Sequence, residues 1–67
     1  MTAPMQGRRV TFKDEGEGMG QVYVIEPGAP ETWPYGTTPK GIEDQGFMRR
    51  AEAQRLAVLL NARFEEI

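Results

Sequence analysis

The 67-residue chain has no cysteine and no histidine. The first absence rules out disulfides, thiolate nucleophiles and thiolate metal sites. The second removes the commonest general base and the commonest metal ligand. Long apolar runs are missing as well, since none approaches the roughly 20 residues that a membrane span needs. Neither sign of charge dominates: Lys and Arg number 8 against 10 Asp and Glu, for a net charge of −2 with the signs interspersed. Such a balance gives no global attraction to nucleic acid or to an anionic surface. Catalysis would have to rest on a carboxylate or a lysine, in a pocket that a chain this short can hardly enclose.

Length sets a second limit. A domain of this size buries only about 60% of the surface its unfolded chain exposes, and without a disulfide or metal it gains from oligomerisation or partner binding. One small domain is expected over residues 8–67, preceded by a loosely held tail at 1–7 that contains Pro4 and Gly7. The opening MTAPMQGRRVTF has no apolar core or cleavage pattern of a signal peptide, so the expected compartment is the cytoplasm.

What is present divides into three segments. Residues 8–26 predict a β-hairpin. RRVTFKD alternates, with Val10 and Phe12 on one side and Arg9, Thr11 and Lys13 on the other, and GQVYVIE is dense in β-branched and aromatic residues. The acidic, glycine-rich EGEGM between them predicts the turn. In the second strand Val22 and Val24 face one way and Tyr23 and Ile25 the other, a pattern that suits a strand covered on both sides.

Residues 27–46 form a long Pro/Gly segment with four of the chain's prolines and its only tryptophan. Disordered linkers tend to lack large aromatics. Trp33 and Tyr35, flanking Pro34, therefore predict a loop at least partly folded back over the hairpin or helix, or offered to a partner. A short third strand near residues 40–42 is a weaker signal, and Asp44 is a candidate N-cap.

Residues 47–67 predict the organising helix. It is free of proline and glycine and rich in Ala, Leu, Arg and Glu, which lose little freedom in a helix. Ala53, Leu56, Ala57, Leu60, Phe64 and Ile67 make one stripe at i, i+3, i+4, i+7 spacing. Val58 and Leu59 lie off it, as scattered surface apolars or as a second contact with a partner or another copy of the chain. The expected fold is α+β: an antiparallel hairpin, with or without a short third strand, packed on one C-terminal helix.

Candidate chemistry is sparse. Asp14, Glu15 and Glu17 could offer carboxylates to a hard cation, but they lack ligand-loop spacing and read as a solvated turn. Gly16, Gly18 and Gly20 superficially match a phosphate-cradling loop, yet such a loop leads into a helix, and this one is acidic and joins two strands. No metal and no cofactor is therefore expected. Arg8, Arg9, Arg49, Arg50 and Arg55 would form a basic patch if the first strand starts beside the helix N-terminus. Trp33, Tyr35 and Tyr23, with Val58 and Leu59, are the candidate partner-binding residues, because aromatic side chains dominate binding hot spots.

The stretch AEAQRLAVLLNA at 51–62 resembles the closing helix of small bacterial and phage proteins in which a short hairpin leads into an Ala-Glu-Ala-x-x-Leu-Ala-x-x-Leu-Asn helix. The resemblance covers about a dozen residues. It implies a ββα arrangement and carries over no functional residue, and the long Pro/Gly/Trp segment departs from it. The expectation is a non-enzymatic protein-binding module of phage or mobile-element type that inhibits or modulates a host protein in the host cytoplasm. A nucleic-acid-binding accessory protein using the arginines is the second reading, and an oligomer-forming structural component, as a homodimer, is the third.

Overall fold

The computed structural model describes residues 7–29 and 40–67. Its elements are β1 (Arg9–Gly16), β2 (Met19–Ile25), β3 (Ile42–Arg49), α1 (Arg50–Leu59) and β4 (Arg63–Glu66). The α+β class and the hairpin hold, and in place of at most a short third strand near 40–42 two full strands, β3 and β4, make a four-stranded mixed sheet, ordered β3-β2-β1-β4. β1 pairs antiparallel with β2 and parallel with β4, while β2 pairs antiparallel with β3. The helix thus crosses over the two central strands and returns the chain beside β1.

The hairpin turns as its glycines require. Glu17 and Gly18 both have positive φ, 59° and 75°, which is the backbone of the tight turn that matches strand twist. Glycine has a different role at position 20. A Cβ there would stand 2.6 Å from the Phe12 ring and 2.5 Å from the Lys13 carbonyl oxygen, so the ring of the core's largest fully buried residue lies directly over bare backbone.

One face of the sheet carries the helix. Val10, Phe12, Val22 and Val24 pack with Ala53 and Ala57, and Leu56, Leu60, Met48 and Phe64 close the cluster. The two alanines are fully or almost fully buried, at 0% and 2% exposure. Their small side chains let α1 approach the strands closely, as the stripe predicts. On the other face Tyr23, Ile25 and Ile42 are buried together with Ala29 against them, so both faces of β2 are covered. Glu26 donates its N–H to the Gly41 carbonyl at 2.8 Å, which draws together the ends of the connection between β2 and β3.

The expected helix is shorter at both ends. Residues 42–49 are a strand, and Asp44 is not an N-cap: its Oδ1 accepts the Gly46 N–H and the Gln21 amide within the sheet. Arg49 takes the cap position, and its N–H donates to Glu52 Oε1 at 3.2 Å, the backward half of a capping box. At the other end Asn61 adopts φ 55°. Ala62 N–H donates to the Ala57 carbonyl at 2.8 Å and Asn61 N–H to the Val58 carbonyl at 3.1 Å. This paired closure is the Schellman stop. The chain then turns into β4, and Phe64 reaches the core from a strand, its ring 6.3 Å from that of Phe12.

Candidate functional site

β3 forms one edge of the sheet and leads into α1 without an intervening residue. Its register shifts once. Asp44 lies opposite Tyr23 and Gly46 opposite Val22, leaving Gln45 as the extra residue of a bulge. Gly46, at φ 80°, supplies a conformation that a side chain would resist. The extra residue resets the alternation. Met48, opposite Gly20, then points to the helix side and joins the core's margin, while Phe47, opposite Gln21, points to the far face and is 58% exposed.

A furrow therefore runs between β3 and α1. Met48, Leu56 and Leu59 give it an apolar floor and wall, and Gln45, Glu52 and Arg55 rim a cleft of about 340 Å³. A second cleft of about 270 Å³ shares Gln45 and Leu56 and continues it past Leu60 towards Val24 and Arg8. Leu59 is 76% exposed at this position. A leucine so placed gains about 1.5–3 kcal/mol when a partner covers it.

The other candidate partner-binding residues separate. Trp33 and Tyr35 lie outside the described residues. Tyr23 is an interior residue, 5% exposed and packed with Ile25 and Ile42, as a strand covered on both sides requires. Val58 is as exposed as Leu59, at 78%, but successive helical residues point about 100° apart. Val58 consequently faces away from the furrow, and the two do not make one patch. Leu59 with Met48 and Leu56 does, a grouping hidden in the sequence because Met48 belongs to an unrecognised strand.

The arginines do not converge. The register places Arg8 and Arg9 at the Ile25, Ile42 and Arg63 end of the sheet, and Arg49 and Arg50 at the Gly16 and Met19 end. With a rise of about 3.3 Å per residue, the strand separates these groups by about 20 Å. Several are also neutralised. Arg8 Nε meets Glu26 at 3.0 Å, and Arg9 Nη1 meets Glu65 at 3.0 Å. Arg50 Nε donates to Glu66 Oε1 at 2.9 Å, and the same guanidinium reaches Asp14 and lies 5.1 Å from the Phe12 ring centre. The Glu66 hydrogen bond, followed by its charge, raises the Arg50 pKa. The same hydrogen bond holds the Glu66 carboxyl below its ordinary value against a smaller opposing effect of burial. Arg50 is a strap from the helix start to β1 and β4, and these pairs offset the unfavourable placement of a cation at a helix N-terminus.

The acidic turn and the cleft near Gly28 are occupied by their own contacts, while Thr11 Oγ1, buried in β1, has no hydrogen-bond partner among the described residues. In the acidic turn Asp14 Oδ1 accepts the Gly16 N–H at 2.8 Å, and Lys13 lies 3.5 Å from Glu15. No cluster of three or more acidic residues among the described residues could hold a metal ion. A cleft of about 400 Å³ near Gly28 is lined by Arg9 and Arg63, but both guanidiniums already contact Glu65. No helix among the described residues is long and apolar enough to cross a membrane. No protein-family model, curated protein or solved structure matches the chain.

Proposed function

We propose that the chain is a small, non-enzymatic protein-binding module whose contact surface is the furrow between α1 and β3. Its setting, on this reading, is the cytoplasm of a host, where a phage- or mobile-element-encoded protein modulates a host protein. The observation that carries the reading is Leu59, largely exposed beside Met48 and Leu56 in an apolar cleft with a polar rim. An exposed apolar group bordered by charged and amide side chains is the pattern of an interaction site. Catalysis finds little support, because a chain without histidine and cysteine has few means of holding a proton donor or nucleophile near neutral pH. The nucleic-acid reading is weakened by the separation of its arginines to opposite ends of the strands.

The test uses the two adjacent helix residues against each other. The wild type and the variants Leu59→Asp and Val58→Asp are immobilised and exposed to host lysate. A specific partner should be retained by the wild type and by Val58→Asp, and its affinity for Leu59→Asp should fall by about ten- to a hundredfold. Equal loss in both variants, or in neither, would remove the furrow as the binding surface.

A further inference from the structure

We propose that the outer edge of β3 pairs antiparallel with β3 of a second copy, joining two sheets into one about a twofold axis. The inference goes beyond the binding reading and stands without it. Three observations carry it. β3 is an edge strand of 8 residues with no strand on its outer side among the described residues. Such a row of unpaired backbone groups is a template for another strand. Its charge is polarised along its length, with Glu43 and Asp44 in the first half and Arg49 at the end, and none of these three makes an ion pair among the described residues. Asp44 uses only Oδ1 inside the sheet. Phe47, between them, is 58% exposed.

Antiparallel self-pairing suits that polarity, since it sets the acidic half of one strand against the basic end of the other. The register follows from the faces. Asp44, Phe47 and Arg49 lie opposite Tyr23, Gln21 and Met19, so all three project from the sheet face away from α1. With Gln45 counted as the bulged residue, placing Phe47 against its own counterpart on the axis puts Asp44 opposite Arg49 of the second copy, twice. One arrangement thus covers both exposed rings and pairs all four charges on the same face. The bulge discourages indiscriminate strand addition, which leaves these side chains to select the partner. Both helices then lie on the same side of the joined sheet, and the two furrows open towards the axis.

Sedimentation of the intact chain, from the low micromolar range to several hundred micromolar, tests the proposal. The wild type should form dimers. Asp44→Arg and Arg49→Asp, each alone, should raise the dissociation constant by about tenfold or more, because each sets like charges face to face at two equivalent positions. An equimolar mixture of the two variants should restore dimers, since each then supplies the charge that the other lacks. If circular dichroism shows that Asp44→Arg disturbs the bulge, Phe47→Asp, which leaves the bulge hydrogen bonds intact, should dissociate the dimer instead. A wild type that stays monomeric overturns the proposal, and so does a dimer that neither Arg49→Asp nor Phe47→Asp weakens.

Discussion

The two edges of the sheet are finished in opposite ways. β4 is short, with 4 residues, and its charges are engaged: Glu65 with Arg9 and Arg63, Glu66 with Arg50. Phe64 anchors it from below, packed on the main core. β3 has twice the length, carries an exposed phenylalanine, and leaves Glu43, Asp44 and Arg49 outside the ion pairs found among the described residues. Charge pairs on exposed strands contribute little each, so the difference is not mainly one of stability. It concerns what each edge can still accept. β4 offers few unsatisfied groups, whereas β3 offers backbone, charge and apolar surface together.

The strongest way to break this contrast is to make the same truncation at both edges. Phe64→Ala should cost about 3 kcal/mol, because it opens a gap beside Phe12 and removes the anchor of β4. Phe47→Ala, measured on dilute protein, should cost less than about 0.5 kcal/mol. Urea denaturation gives both values, and comparable losses would show that β3 is no more open than β4. A smaller effect is expected where α1 hands the chain to β4. Asn61→Gly should leave stability unchanged or slightly raised, while Asn61→Val should cost about 1–2 kcal/mol, since a branched residue resists positive φ. Thermal melting of the pair measures the difference.

The smallest effect sharpens the contrast by pH. Glu66 has its folded-state pKa lowered, chiefly by the hydrogen bond from Arg50. Its contribution is therefore present above the ordinary glutamate value of about 4.3 and fades as pH falls through the lower folded value. The group is exposed, so screening keeps the effect slight. An NMR titration should place the Glu66 midpoint below that of a free glutamate, and Arg50→Met should return it.

Legibility in the sequence follows the same division. The hairpin was readable because β1 alternates and β2 is β-branched, and the Ala53, Leu56, Ala57, Leu60 stripe was readable because α1 keeps one face on the core. β3 was obscured for two physical reasons. IEDQGFMR is poor in strand formers, and the bulge at Gln45 breaks the two-residue period from which a strand is recognised. β4 was obscured by coincidence, since Phe64 follows Leu60 by four residues and so continues the helical phase beyond the true end. The signal against that continuation was Asn61, which adopts the left-handed conformation more readily than most residues though less often than glycine. The furrow cannot be read without β3, because the helical spacing of residues 47–67 places Met48 on a helix.

The position of β1 has a consequence for how the molecule assembles. β1 is an interior strand, yet one of its two neighbours is β4, and the ion pair between them joins residues 56 apart in sequence. Closing a loop of that size has an entropic cost that must be met before the parallel pairing can stabilise anything. The hairpin draws on local contacts, whereas Arg63–Glu66 reaches β1 only across the intervening β2, β3 and α1. On the ribosome, β1 exposes an unpaired flank until those four residues have been made. The flank of β1 that β4 covers in the finished protein is thus open until the last strand pairs.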